Sequence, residues 1–134
     1  LPGIMELLDL LDRNHVRTGC ISNALAGAWS RKVARSFALE PRLGVQIYSD
    51  EIGMRKPNPR LFELALDCLG ADKRGSWYIG DKLDRDILAS RRSGLGMAIL
   101  LPSAETYKMP KVDVEPDLVI ESLHELTSML EISG

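Results

Sequence analysis

The residues best suited to chemistry fall in three clusters. Ser22-Asn23 ends an apolar run, Lys56 stands just beyond Ser49-Asp50, and Gly80-Asp81 is followed by Asp84 and Asp86. A serine hydroxyl can donate to a phosphoryl oxygen, and the backbone N–H groups of the turn beyond it add further donors. A lysine brings a compact positive charge, worth on the order of 4 kcal/mol against a developing negative charge at ~4 Å and an effective dielectric near ~20, before desolvation. Aspartates supply hard oxygen ligands, which suit Mg²⁺ better than zinc, and magnesium takes only one or two carboxylates from a protein. Together the clusters describe a site for a phosphate monoester and a divalent cation. Singly, each has a plainer reading: Ser and Asn make turns, a lysine before a proline faces solvent, and acids at a helix start are favoured by the helix dipole. Their order and their common position after apolar strands favour the joint reading.

The elements that must position these residues alternate. Ile4, Leu7, Leu8 and Leu11 share one helical face after Pro2, which predicts a first helix to about Arg13. Val16 to Ile21 reads as a buried strand that delivers Ser22-Asn23. Trp29, Val33 and Phe37, with basic residues between them, predict an amphipathic helix. Val45, Ile47 and Tyr48 form a second strand; Asn58 and Pro59 then cap and start a helix with Leu61, Leu64, Ala65 and Cys68 on one face, stopped by Gly70. Trp77 to Ile79 is a third strand, a helix from about Asp84 closes at Gly94, and Met97 to Leu101 is a fourth strand. An irregular segment from Pro102 to Pro116 leads to a short edge strand at Leu118 to Ile120, and Ser122 with Glu125 forms a capping box for a last helix with Leu123, Leu126 and Leu130 inward. Helices between short apolar strands predict an α/β fold of three layers, α/β/α, around a parallel Rossmann-like sheet of about five strands, with ligands outside the carboxyl ends of the strands.

Composition narrows the function classes. With 134 residues, 45% of them hydrophobic, the chain predicts a single domain over 1–134. The formal charge of -2 arises from 19 acidic against 17 basic residues spread along the chain, which disfavours a nucleic-acid partner. No apolar run approaches the ~20 residues of a membrane span, and no signal-peptide pattern opens the chain, so a cytoplasmic location is expected. Cys20 and Cys68 are isolated and are expected to be buried thiols.

These clusters resemble the motifs of the haloacid dehalogenase superfamily, subclass I. Ile21-Ser22-Asn23 resembles its second motif, Gly53 to Pro59 with Lys56-Pro57 its third, and Ile79-Gly80-Asp81 through Asp86 its fourth; Pro59 to Phe62 and Asp117 to Leu126 also look like this subclass. The resemblance covers essentially the whole chain. It implies that Ser22, helped by Asn23, holds the phosphoryl group, that Lys56 orients and screens it, and that Asp81 binds Mg²⁺ with Asp86 as a further ligand or a partner behind it. It also implies hydrolysis of a small phosphorylated metabolite through a phospho-aspartyl intermediate. Lys82 stands where many members of the family have Ser or Thr, which leaves its role open, and it is expected to face solvent. No Asp-x-Asp-Gly follows an apolar strand anywhere in the chain, so the family's first motif, with its nucleophile, is expected upstream of Leu1, together with the helical cap domain that selects the substrate. Without that motif's central strand a gap is expected between the strands of Ser22 and Gly80, filled by an N-terminal segment or a complementary chain, or closed over by the sheet itself. The fragment alone is expected to be inactive. Other readings consistent with these motifs are a catalytically dead phosphate-binding or partner-binding module and a phosphomutase or dehalogenase. Asp50 is the substitute nucleophile to suspect if the chain alone turns over.

Overall fold

A computed structural model describes residues 2–22, 45–48, 59–108 and 112–133. The expected helix around Trp29, Val33 and Phe37 lies outside the described residues, as do Asn23, Asp50, Lys56 and Asn58.

Chain order runs through α1 (Ile4–Arg13), β1 (Gly19–Ser22), β2 (Val45–Tyr48), α2 (Pro59–Leu69), β3 (Trp77–Gly80), a π-helical segment (Leu83–Leu88) continuing into α3 (Ala89–Arg92), β4 (Met97–Leu100), a 3-10 turn (Thr106–Lys108), β5 (Leu118–Val119) and α4 (Leu123–Ser133). The strands form two parallel ladders. β1 pairs with β2, Gly19 opposite Val45 and Ser22 opposite Tyr48; β4 lies between β3 and β5, with Gly80 opposite Leu100 and Ile99 opposite Leu118. Among the described residues no ladder joins β1 to β3, which is where the break in the sheet was expected.

The period-two alternation of β4 sorts the core into two faces. Ile99 packs with Leu7, Ile120, Leu123 and Leu126, so α1 and α4 cover one face of the β3–β4–β5 ladder. Ala98 and Leu100 point the other way, toward Ile87 and Leu83 of the π-helical segment. On that same side Leu61, Phe62 and Ala65 of α2 meet Ala89 of α3, with Tyr78 of β3 packed against them. Helix α2 also lies against β1 and β2, so it touches both ladders. The result is the three-layer α/β/α arrangement read from the alternation of elements.

Several ends are fixed as the sequence predicts. Gly70 and Gly94, with φ of 64° and 79°, take the left-handed conformation that stops a helix with no Cβ penalty. Arg17 Nη1 donates to the carbonyls of Leu69 at 2.6 Å and Gly70 at 3.2 Å, putting a cation on the negative end of α2. The Glu125 N–H donates to Ser122 Oγ at 3.2 Å, while the Glu125 carboxylate accepts the Glu121 N–H at 2.7 Å, a capping box shifted by one donor.

Three expectations need correction. Val16 lies in the turn that follows α1 rather than in a strand: His15 is left-handed at φ 57°, and the Val16 N–H turns back to the Leu11 carbonyl at 2.9 Å, so β1 begins only at Gly19. The buried stripe of α2 is Leu61, Phe62, Ala65 and Leu66, and Leu64 faces out. That rotation places the Phe62 ring edge-on against Tyr78, centroids 4.8 Å apart, and it leaves Cys68 exposed rather than buried.

The corrected face of α2 predicts unequal costs for two similar truncations. Leu66→Ala should lower the unfolding free energy by about 2–3 kcal/mol and Leu64→Ala by less than about 1 kcal/mol, measured by urea titration. Equal costs would contradict the assignment of the face.

Candidate active site

The carboxyl end of β3 carries the best-defined cluster. Tyr78 to Gly80 enter the turn Asp81-Lys82, and the chain then winds into the wide π-helical segment, where the N–H groups of Asp86 and Ile87 both reach the Lys82 carbonyl, at 3.0 and 3.1 Å. Such wide turns are uncommon and concentrate at functional positions. Here the winding carries Asp86 back beneath the turn that precedes it.

Asp86 is 2% exposed. Its Oδ2 accepts the backbone N–H groups of Asp81 and Lys82, both at 3.0 Å, and its Oδ1 accepts the Tyr78 hydroxyl at 3.3 Å. The carboxylate therefore faces the backbone of the turn. Hydrogen bonds to a charged group contribute roughly 1.5–3 kcal/mol each, and a buried carboxyl group without such partners is costly. Gly80 is dictated by the same contact: a Cβ there would run into the Asp86 side chain. The Gly80-Asp81 pair and Asp86, five positions after Asp81, thus form one mechanical unit.

Asp81 points the other way and is more open, with 38% of its side chain exposed. Its Oδ2 accepts the Ser103 hydroxyl at 2.6 Å and lies 3.6 Å from Lys82 Nζ, and its carbonyl accepts the Thr106 hydroxyl at 2.7 Å. Lys82, expected to face solvent, instead has a side chain only 21% exposed and leans on Asp81. Ser103 and Thr106 escaped the sequence reading because they sit in the irregular segment after β4 and meet Asp81 only through the fold. Asp84, the second residue of the π-helical segment, has a buried Oδ1 that accepts no hydrogen bond from the described residues.

Of the other site residues, Ser22 is described by its backbone alone, as the last residue of β1. Asn23 and Lys56 lie outside the described residues. The described part of the site is therefore its carboxylate side. Among the described residues no three His, Cys, Asp or Glu side chains converge as a metal cage. One or two carboxylates are what magnesium takes from a protein, so Asp81, with a hard and accessible oxygen at a strand end, fits that ion without such a cage. A depression of about 770 Å³, bordered by Asp67, Lys73, Arg74 and Arg92, includes none of these site residues. No described helix is long and apolar enough to cross a membrane.

A family model described as haloacid dehalogenase-like hydrolase matches residues 1–100. The chain is 30% identical over 131 residues to a pyrimidine 5'-nucleotidase from Escherichia coli, covering 97% of this chain and 56% of that protein. It is 28% identical over 138 residues to a glyceraldehyde 3-phosphate phosphatase from Methanopyrus kandleri, covering 97% and 54% respectively. The chain thus spans about half the length of these curated relatives. Among solved structures, a HAD-hydrolase from Bacillus subtilis bound to magnesium superposes with a TM-score of 0.81 at 22% identity, over 97% of this chain and 55% of that one, a likeness of fold.

Because Gly80 and Asp86 occupy each other's space, their substitutions should not add. Asp86→Ala should cost about 3 kcal/mol by leaving two turn amides unpaired, and Gly80→Ala about 1–3 kcal/mol by overpacking. The double variant should cost at least about 1 kcal/mol less than the sum, because truncating Asp86 makes room for the new methyl. Additive costs in urea titrations would contradict the contact.

Proposed function

The chain belongs to the haloacid dehalogenase-like hydrolases, and from that premise we propose that it forms the core of a magnesium-dependent phosphatase acting on small phosphate monoesters. The observation that carries this reading is the turn after β3, where Asp86 binds the backbone of Asp81 and Lys82 and leaves the Asp81 carboxylate at an open strand end. The relatives named as a nucleotidase and a phosphatase support the substrate class, and the magnesium-bound structure of similar fold supports the ion.

In this reading Asp81 is the metal ligand and Asp86 holds the turn, the second of the two roles that the resemblance leaves open for it. A bound Mg²⁺ would supply neutralisation of the phosphoryl oxygens. Ser22, at the end of β1, donates its hydroxyl to the phosphoryl group, and Asn23 adds donors from the turn beyond. Lys56 places a positive charge beside the same oxygens, which lowers the cost of charge moving onto them as the ester bond breaks. The nucleophilic aspartate is assigned to the part of the protein outside these 134 residues, in keeping with the half of the relatives' length that the chain does not span. The cap that selects the substrate belongs to the same part.

In the full-length protein, Asp81→Asn should raise the Mg²⁺ concentration for half-maximal hydrolysis of an aryl phosphate by at least about tenfold. Lys56→Ala should lower kcat about 100-fold or more while shifting the urea midpoint little, as expected of a charge that acts mainly in the transition state. An unchanged magnesium response in Asp81→Asn would remove that residue from the metal site, and unchanged kcat in Lys56→Ala would remove the lysine from the chemistry.

A further inference from the structure

Asp81 is held at three points, and two of them come from the loop after β4. Its N–H goes to Asp86, its carbonyl accepts the Thr106 hydroxyl at 2.7 Å, and its Oδ2 accepts the Ser103 hydroxyl at 2.6 Å. Thr106, 1% exposed, also accepts the Ser103 N–H at 2.8 Å, so one buried hydroxyl ties the loop to the backbone of the turn. The other carboxylate oxygen, Asp81 Oδ1, accepts no hydrogen bond from the described residues. Lys82 Nζ lies 3.6 Å from Oδ2, so a second cation is repelled from that side of the carboxylate.

The two oxygens are thus made unequal before any ligand arrives. A carboxylate on a strand end has two side-chain torsions to lose when it binds an ion, and a partner that fixes them beforehand lowers that cost. Groups behind a metal ligand act in this way, and removing one typically weakens metal binding about 10–100-fold.

We infer that Ser103 is a positioning residue of the metal site: its hydroxyl holds Asp81 Oδ2 and leaves Oδ1 as the oxygen offered to a divalent cation, with Thr106 anchoring Ser103 and the Asp81 backbone together. This rests on the reading of Asp81 as the metal ligand. It adds a residue from the β4 loop, distant in sequence from the three motif clusters, and assigns the two carboxylate oxygens different work.

The test is Mn²⁺ binding to the metal-free full-length protein, followed by electron paramagnetic resonance of the free ion, with no turnover required. Mn²⁺ accepts the same hard oxygen ligands as Mg²⁺. Ser103→Ala should bind about tenfold more weakly. Ser103→Thr, which keeps the hydroxyl, should stay within about twofold of the unsubstituted protein, by the same dependence on the outer hydrogen bond. Glu105→Gln, an exposed change in the same loop, should leave affinity unaltered. Asp81→Asn should remove the site.

Loss in Asp81→Asn with unaltered binding in Ser103→Ala would overturn the positioning role while leaving the metal ligand in place. Tighter binding in Ser103→Ala would overturn it too, because the hydroxyl would then be competing with the ion. So would equal weakening in Ser103→Ala and Ser103→Thr, or in Glu105→Gln, which would reduce the effect to disturbance of the loop. Unaltered binding in Asp81→Asn would remove both the ligand assignment and the inference built on it.

Discussion

The bond pair from the Asp81 and Lys82 amides to the buried carboxylate of Asp86 is the constraint on which the rest of the site depends. A carboxylate 2% exposed is stable only when its charge is met by donors, and here the donors are the backbone of the turn that carries the candidate ligand. The bond therefore works both ways. It satisfies a polar group inside the core, and it fixes the exit path of β3 so that Asp81 leaves the sheet in one direction. Gly80 follows from this, since only a residue without a side chain lets the carboxylate lie against the strand.

The surrounding fold serves that turn from both sides of the sheet. Ile87, next to Asp86, is fully buried with Ala98 and Leu100, so the segment that brings Asp86 back is packed onto β4. The ladder extends past the strand end through the Leu101 N–H to the Gly80 carbonyl at 2.9 Å, which brings the β4 loop to the level of Asp81. Ser103 and Thr106 then reach it as a consequence of strand pairing. On the far face, Leu7, Leu123 and Leu126 close over Ile99, so α1 and α4 stabilise the same two strands without touching the chemistry.

What was legible in the sequence was local. Alternating apolar strands and amphipathic helices identified the layers; Gly70, Gly94 and the Ser122–Glu125 box marked element ends because each has a short-range physical signature. The aspartates of the third cluster were legible through their position after a strand. What escaped was set by tertiary contact. The rotation of α2 depends on the meeting of Phe62 and Tyr78, which spacing alone cannot orient, and Leu64 and Cys68 were misplaced for that reason. The grip of Ser103 and Thr106 on Asp81 spans more than twenty residues through a segment with no periodicity, so nothing nearby in sequence announced it. The resemblance left two places open for Asp86, beside Asp81 or behind it, and only the fold shows its carboxylate facing the backbone of the turn.

The most direct measurement is a crystal structure of the full-length protein grown with Mn²⁺, whose anomalous scattering locates the ion independently of the protein. The account predicts the ion on Asp81 Oδ1, with Asp86 still accepting the Asp81 and Lys82 amides. An ion bound by Asp86, with those amides released, would contradict it.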